Sequence, residues 1–139
     1  MSTSERGLLD TSTVILLGRL ADSSMLPDEP VISAITMAEL SVGPLITDDA
    51  DERAARQAHL QLAESDFDPL PFDAAAARAF GRIAADLRQA GRKPAARAYD
   101  ALIAATAIST NLPVFTCNPS DFENIRDLDL RAIPHRDHS

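Results

Sequence analysis

The chain has 139 residues, 45% of them hydrophobic and 24% charged, a size and balance that suit one buried core and predict a single domain over 1–139. Its net charge of -8 argues against a protein that grips nucleic acid through a broad basic surface, and its lone Cys117 excludes an intramolecular disulfide and makes a poor zinc site. No apolar run approaches the ~20 residues of a membrane span, and the polar start through Arg6 lacks the apolar stretch of a secretory signal, so a soluble, cytoplasmic protein is expected.

Leu8-Leu9-Asp10 reads as a short buried strand ending in an acid, followed by a Thr-Ser-Thr turn rich in helix caps and a helix over Val14 to Leu20. Pro30-Val31-Ile32-Ser33 repeats the pattern, with Ser33 or Thr36 capping a helix that carries Met37, Glu39 and Leu40 and stops at Gly43-Pro44. Residues 48 to 65 suit an exposed helix. Phe67 to Phe72, interrupted by two prolines, supplies at most an edge strand. Asp73 caps a long amphipathic helix whose apolar face runs through Ala77, Phe80, Ile83, Ala84 and Leu87 until Gly91-Arg92-Lys93-Pro94 breaks it. From Tyr99 the chain is apolar nearly all round, as a helix buried against a sheet must be. Pro113 to Thr116 is a buried strand, Asn118 to Phe122 a turn or short helix, and Leu130 to Ile133 an edge strand. Strands alternating with helices predict a three-layer α/β fold around a mainly parallel sheet of about four to five strands, with pliant ends at 1–6 and 135–139.

In such sheets ligands bind beyond the carboxyl ends of the strands, where strand order reverses. Asp10 ends the first strand and Asn118 and Asp121 follow the Val114 strand, so they share one crevice if those strands are neighbours. Asp100 opens an otherwise apolar helix whose small residues Ala101, Ala104, Ala105 and Ala107 let it lie close to the sheet. Glu39 stands in a short apolar helix with no Lys or Arg a turn away. Each acid also has an ordinary use: Asp10 as an N-cap, Asp100 as a dipole-favoured acid, Asp121 as a turn residue, Glu39 as a surface side chain. Converging with no Lys or Arg among them, the four repel one another unless a cation intervenes, and hard oxygen donors without His or Cys suit Mg2+ or Mn2+. The histidines His59, His135 and His138 match no zinc-protease spacing. Arg88, Arg92, Lys93 and Arg97 form a basic stretch just before Asp100, while Asp48, Asp49, Asp51 and Glu52 crowd elsewhere.

Four blocks, Leu8-Leu9-Asp10-Thr11-Ser12, Ile32 to Leu40, Tyr99 to Ala107 and Thr116-Cys-Asn118-Pro-Ser-Asp121-Phe122, together resemble the PIN domain, and within it the VapC-type toxins of bacterial toxin-antitoxin pairs. The resemblance implies a Mg2+-dependent ribonuclease (Mn2+ serving as well) that hydrolyses RNA phosphodiesters, with Asp10, Glu39 and Asp100 in three carboxylate places. Asp10 and Asp100 are expected as direct metal ligands and Glu39 as ligand or water orienter. The fourth place is divided between Asn118, which offers an amide oxygen without charge, and Asp121. Thr11, Ser12 and Thr116 are candidates for holding the scissile phosphate, and Arg88, Arg92, Lys93 and Arg97 for flanking phosphates. The resemblance further implies a homodimer and a VapB-type antitoxin whose tail covers the acidic groove.

Two other readings compete. Haloacid-dehalogenase-like phosphatases also place an Asp after the first strand, but they need a second Asp where this chain has Ser12 and a late lysine where it has only Lys93; a receiver domain fails on similar grounds. A catalytically weak PIN-like module that binds RNA or an antitoxin is kept open by Asn118. With no Trp and one Tyr, extensive base stacking is not expected.

Overall fold

The structure, a computed structural model, describes residues 5–20, 23–93 and 97–134. Pro94, His135, His138, residues 1–4 of the start and the tail at 135–139 lie outside them. Arg6, expected in a pliant start, instead opens a strand.

The strands are β1 (Arg6–Leu9), β2 (Glu29–Val31), β3 (Val114–Thr116) and β4 (Leu130–Ala132), in the order β2-β1-β3-β4 with every pair parallel. Leu8 stands opposite Val31 on one side and Val114 on the other. The chain leaves β1 towards β2 and later returns past it to β3, so strand order reverses between β1 and β3, and the crevice beyond that pair is where a ligand site belongs. Phe67 to Phe72 does not supply a fifth strand. Leu70 alone touches the sheet edge, its N–H donating to Ile32 O at 2.9 Å and its carbonyl accepting from Ala34 N at 2.8 Å. Its neighbours Pro69 and Pro71 have no N–H with which to extend a ladder.

Five helices connect and cover the sheet: α1 (Thr11–Ile15), α2 (Ala34–Val42), α3 (Ala50–Asp66), α4 (Ala74–Gln89) and α5 (Ala98–Thr110). Asp10, Ser33, Asp49 and Asp73 cap the first four, each accepting a backbone N–H of the first turn. The helix expected to reach Leu20 ends at Ile15 and gives way to a 3-10 turn at Leu17–Arg19. Four of its five residues are β-branched and Gly18 follows, a run with little intrinsic helix preference. Just past α4, Gly91, whose φ of 77° suits glycine, turns the chain, with Arg92 N donating back to Leu87 O at 2.8 Å. The buried line of α4 is Ala76, Ala79, Ile83 and Leu87; Ala77, expected to face inward, is exposed, and Phe80 reaches the core from the flank.

Because successive strand residues point to opposite faces, Leu8 enters one core with Val114, Ile83, Leu87, Ala104 and Phe122, and Leu9 enters the other with Phe115, Ile32, Leu40 and Ala63. Helices α4 and α5 cover the first face, and α1, α2 and α3 the second. This is the expected three-layer arrangement. Gly7 is required by packing: a Cβ there would lie 2.4 Å from Phe115 Cε1 and 2.9 Å from Pro27 Cβ. Phe115 is buried beneath the Arg131 guanidinium, which lies 5.5 Å above its ring and ion-pairs with Glu5 and Asp129, so the ring cannot yield cheaply. Gly7→Ala should therefore lower unfolding free energy by about 1–3 kcal/mol in urea titration; unchanged stability would show that the β1–β3 packing is looser than described.

Candidate active site at the carboxyl end of the sheet

Asp10 follows β1 directly and is 2% exposed. Its Oδ1 accepts from Thr13 N at 3.2 Å and from Thr13 Oγ1 at 2.5 Å, and its Oδ2 from Ser12 Oγ at 3.0 Å and Thr116 Oγ1 at 2.8 Å. Even so, burial outweighs these donors and raises its pKa above the ordinary carboxylate value. The supporting hydroxyls are themselves held: Thr13 Oγ1 accepts from Cys117 N at 3.1 Å, Thr116 Oγ1 from Asn118 N at 2.9 Å, and Ser12 Oγ from the Asn118 amide at 3.1 Å. Thr116, expected at the phosphate, is fully buried and serves Asp10 instead. Asn118 reaches the acid indirectly, its amide through Ser12 and its backbone N–H through Thr116.

Glu39, on α2, is half-buried and accepts from Thr11 Oγ1 at 2.6 Å; the Thr36 hydroxyl lies 3.0 Å from the same Thr11 oxygen. Burial raises the Glu39 pKa, and the nearby Asp10 charge adds to the rise. Asp100, in the first turn of α5, is pushed up to about 7, first by burial and then by the charges of Asp121, Glu39 and Asp10, against a small opposing pull from Arg97. Four carboxylates from four separate segments thus act on one another across the β1–β3 switch point. Thr13 and Thr36 had no place in the sequence-based site. The Asp-x-x-Thr spacing of a helix cap is the only sequence signal that marks Thr13.

The expectation that no Lys or Arg stands among the acids is corrected by Arg97, whose guanidinium pairs with Asp121 at 2.7 Å. The rest of the basic stretch disperses. Arg92 pairs with Glu123 at 2.8 Å, and Arg88 and Lys93 are exposed at the far end of α4 and in the turn after it. Cys117 is buried and its thiol pKa is pushed up by burial, which disfavours the thiolate that nucleophilic chemistry needs.

Among the described residues, no three His, Cys, Asp or Glu side chains already stand close enough to enclose an ion. In donor chemistry the acids nevertheless fit a hard divalent cation, since all are oxygen ligands and their mutual repulsion adds to the burial that raises Asp100. In buffer without divalent ions this repulsion has a measurable sign. The folded-state pKa of Asp100 lies above its ordinary 3.8, so between about pH 4 and 7 the folded chain binds a proton that the unfolded chain does not. Stability from this group is present at low pH and lost as pH rises through 7. Calorimetric melting of Asp100→Asn should exceed wild type at pH 8 and converge with it near pH 4; a constant difference across that range would contradict the shift.

The model of the PIN domain family matches residues 8–128. Ribonuclease VapC5 of Mycobacterium tuberculosis is 40% identical over 117 residues, covering 83% of this chain and 84% of that protein. Ribonuclease VapC of Rickettsia bellii is 30% identical over 133 residues, covering 94% and 98%. Among solved structures, VapBC-5 from Mycobacterium tuberculosis, a member of the VapBC family of toxin-antitoxin systems, superposes with a TM-score of 0.76 at 35% identity over 93% of this chain and 98% of that one. A fold, an acidic crevice and near full-length matches agree: this chain belongs to the PIN domain family, among the VapC ribonucleases.

Proposed function

We propose that this chain is a divalent-metal-dependent ribonuclease, acting in the cytoplasm as the toxin of a type II toxin-antitoxin pair. The observation that carries the reading is the repulsion centred on Asp100, which Asp121, Glu39 and Asp10 all feed. Asp10 and Asp100 would hold Mg2+ or Mn2+, with Glu39 as a further ligand or water orienter and Asp121 as the fourth acid. When bound, the cation supplies positive charge against the phosphate and acidifies water for in-line hydrolysis. The protein's own part is positioning. Four donors fix the Asp10 carboxylate, Thr11 donates to Glu39, and Arg97, paired with Asp121, would meet a flanking phosphate.

An open groove of about 380 Å3 runs beside Glu39, lined by Thr11, Ile15, Leu40, Ile46, Arg56 and His59 among others. Next to it Leu45 and Ile46 are 83% and 72% exposed, a costly arrangement for a chain working alone. VapBC-5 is a toxin-antitoxin system by name, and the groove is where an apolar antitoxin segment would cover both this patch and the acids. We read the active form as a homodimer on the family's pattern. The uncharged Asn118 keeps one second reading, a binding module without cleavage.

Purified and partner-free, the chain should cleave RNA with Mg2+ or Mn2+ and stop in chelator. Asp100→Asn and Glu39→Gln should each slow cleavage by at least about a hundredfold, the upper end of what supporting groups of metal sites contribute. Cleavage that persists in chelator, or at full rate in Asp100→Asn, would sink the enzymatic reading; RNA binding without cleavage would favour the module.

A further inference from the structure

The chain has six aromatic rings, five Phe and one Tyr, and no Trp. Phe115 and Phe122 are buried and Phe67, Phe72 and Phe80 half-buried, but Tyr99 is 53% exposed. Among the described residues, its hydroxyl has no hydrogen-bond partner. Its position is specific: the first turn of α5, between Arg97, whose guanidinium is 2.7 Å from Asp121, and Asp100, which faces the other acids. Helical side chains lean towards the helix N-terminus, so the ring overhangs the end of α5 that carries the site. A flat, wet ring beside an arginine suits a nucleotide: phosphate to the guanidinium, base to the ring.

We propose that Tyr99 is a specificity-determining residue, the platform on which one unpaired base stacks beside the phosphate that Asp100 faces. The proposal rests on the ribonuclease reading and assigns one side chain to its substrate contact. A ring on a helix shoulder can stack only on a base free of its own helix, so the preferred RNA is single-stranded or looped at the cut and an A-form duplex is refused. An exposed tyrosine could instead be covered by a second copy of this chain, and the test separates the two.

Because Tyr99 is the sole Tyr and there is no Trp, intrinsic emission reports this one ring. The full chain carrying Glu39→Gln, freed of partner and held in Mg2+, is titrated with a single-stranded RNA oligonucleotide and with a duplex of the same sequence. Emission should fall by about half or more with the single strand and change little with the duplex. In the otherwise native chain, Tyr99→Ala should raise KM for single-stranded RNA about tenfold, within the range that loss of one stacking contact gives, while Tyr99→Phe retains the native KM. Oligonucleotide binding with unchanged emission, an unaltered KM in Tyr99→Ala, or a lowered oligomeric mass of Tyr99→Ala on sedimentation with RNA binding intact overturns the proposal alone. A wild-type chain that neither binds nor cleaves RNA overturns it together with the ribonuclease reading.

Discussion

The Asp10 carboxylate is the joint on which the remaining structure depends. Standing just past the end of β1, its two oxygens at 2% exposure accept from the first turn of α1 and the last residue of β3. An unpaired carboxylate in that position costs several kcal/mol, so each donor is obligatory. The donors arrive only if β1 and β3 are adjacent, parallel and in register, with Leu9 opposite Phe115. Gly7 and Phe115 secure that register from below. One buried acid therefore ties the sheet order to the site at its end.

The cost of the arrangement is concentrated on the outer acids. Asp10 is immobile and supported, whereas Asp100 and Glu39 are only half-buried and take up the excess charge, Asp100 by retaining a proton up to about pH 7. Arg97 relieves part of the strain at Asp121 but cannot serve all four. What is left is a place where negative charge is held apart by the scaffold and where a divalent cation would bring the acids to a common centre. The overall charge of -8 then has a local meaning. On the proposed reading some of it is held for a counter-ion, which would let an acidic protein act on a polyanion.

Much of this was legible from the residues. Short apolar runs ending in Asp10, Ser33 and Thr116 announced parallel strands, and the acids after them announced the crevice, because strand ends are a topological fact that sequence order carries. Long-range side-chain partners were not legible. Arg97 and Asp121 are 24 residues apart, and only the docking of α5 beside the turn after β3 brings them together. Thr13 and Thr116 looked like a turn residue and a phosphate ligand until their shared attachment to Asp10 was visible. On α4 the buried line passed through Ala76 and Ala79 rather than Ala77, since alanine-rich helices carry little contrast between faces. The prolines around Leu70 pointed correctly away from a full strand.

On the proposed reading, protons and a divalent cation compete for the same carboxylates. Calorimetric titration of Mn2+ into the partner-free chain at pH 6.5, in two buffers of different ionisation enthalpy, measures that competition as protons released per ion bound. Net release of a substantial fraction of one proton is expected at pH 6.5, falling towards zero at pH 8.5 and abolished by Asp100→Asn. Binding with no proton release at pH 6.5, or no Mn2+ binding at either pH, would contradict it.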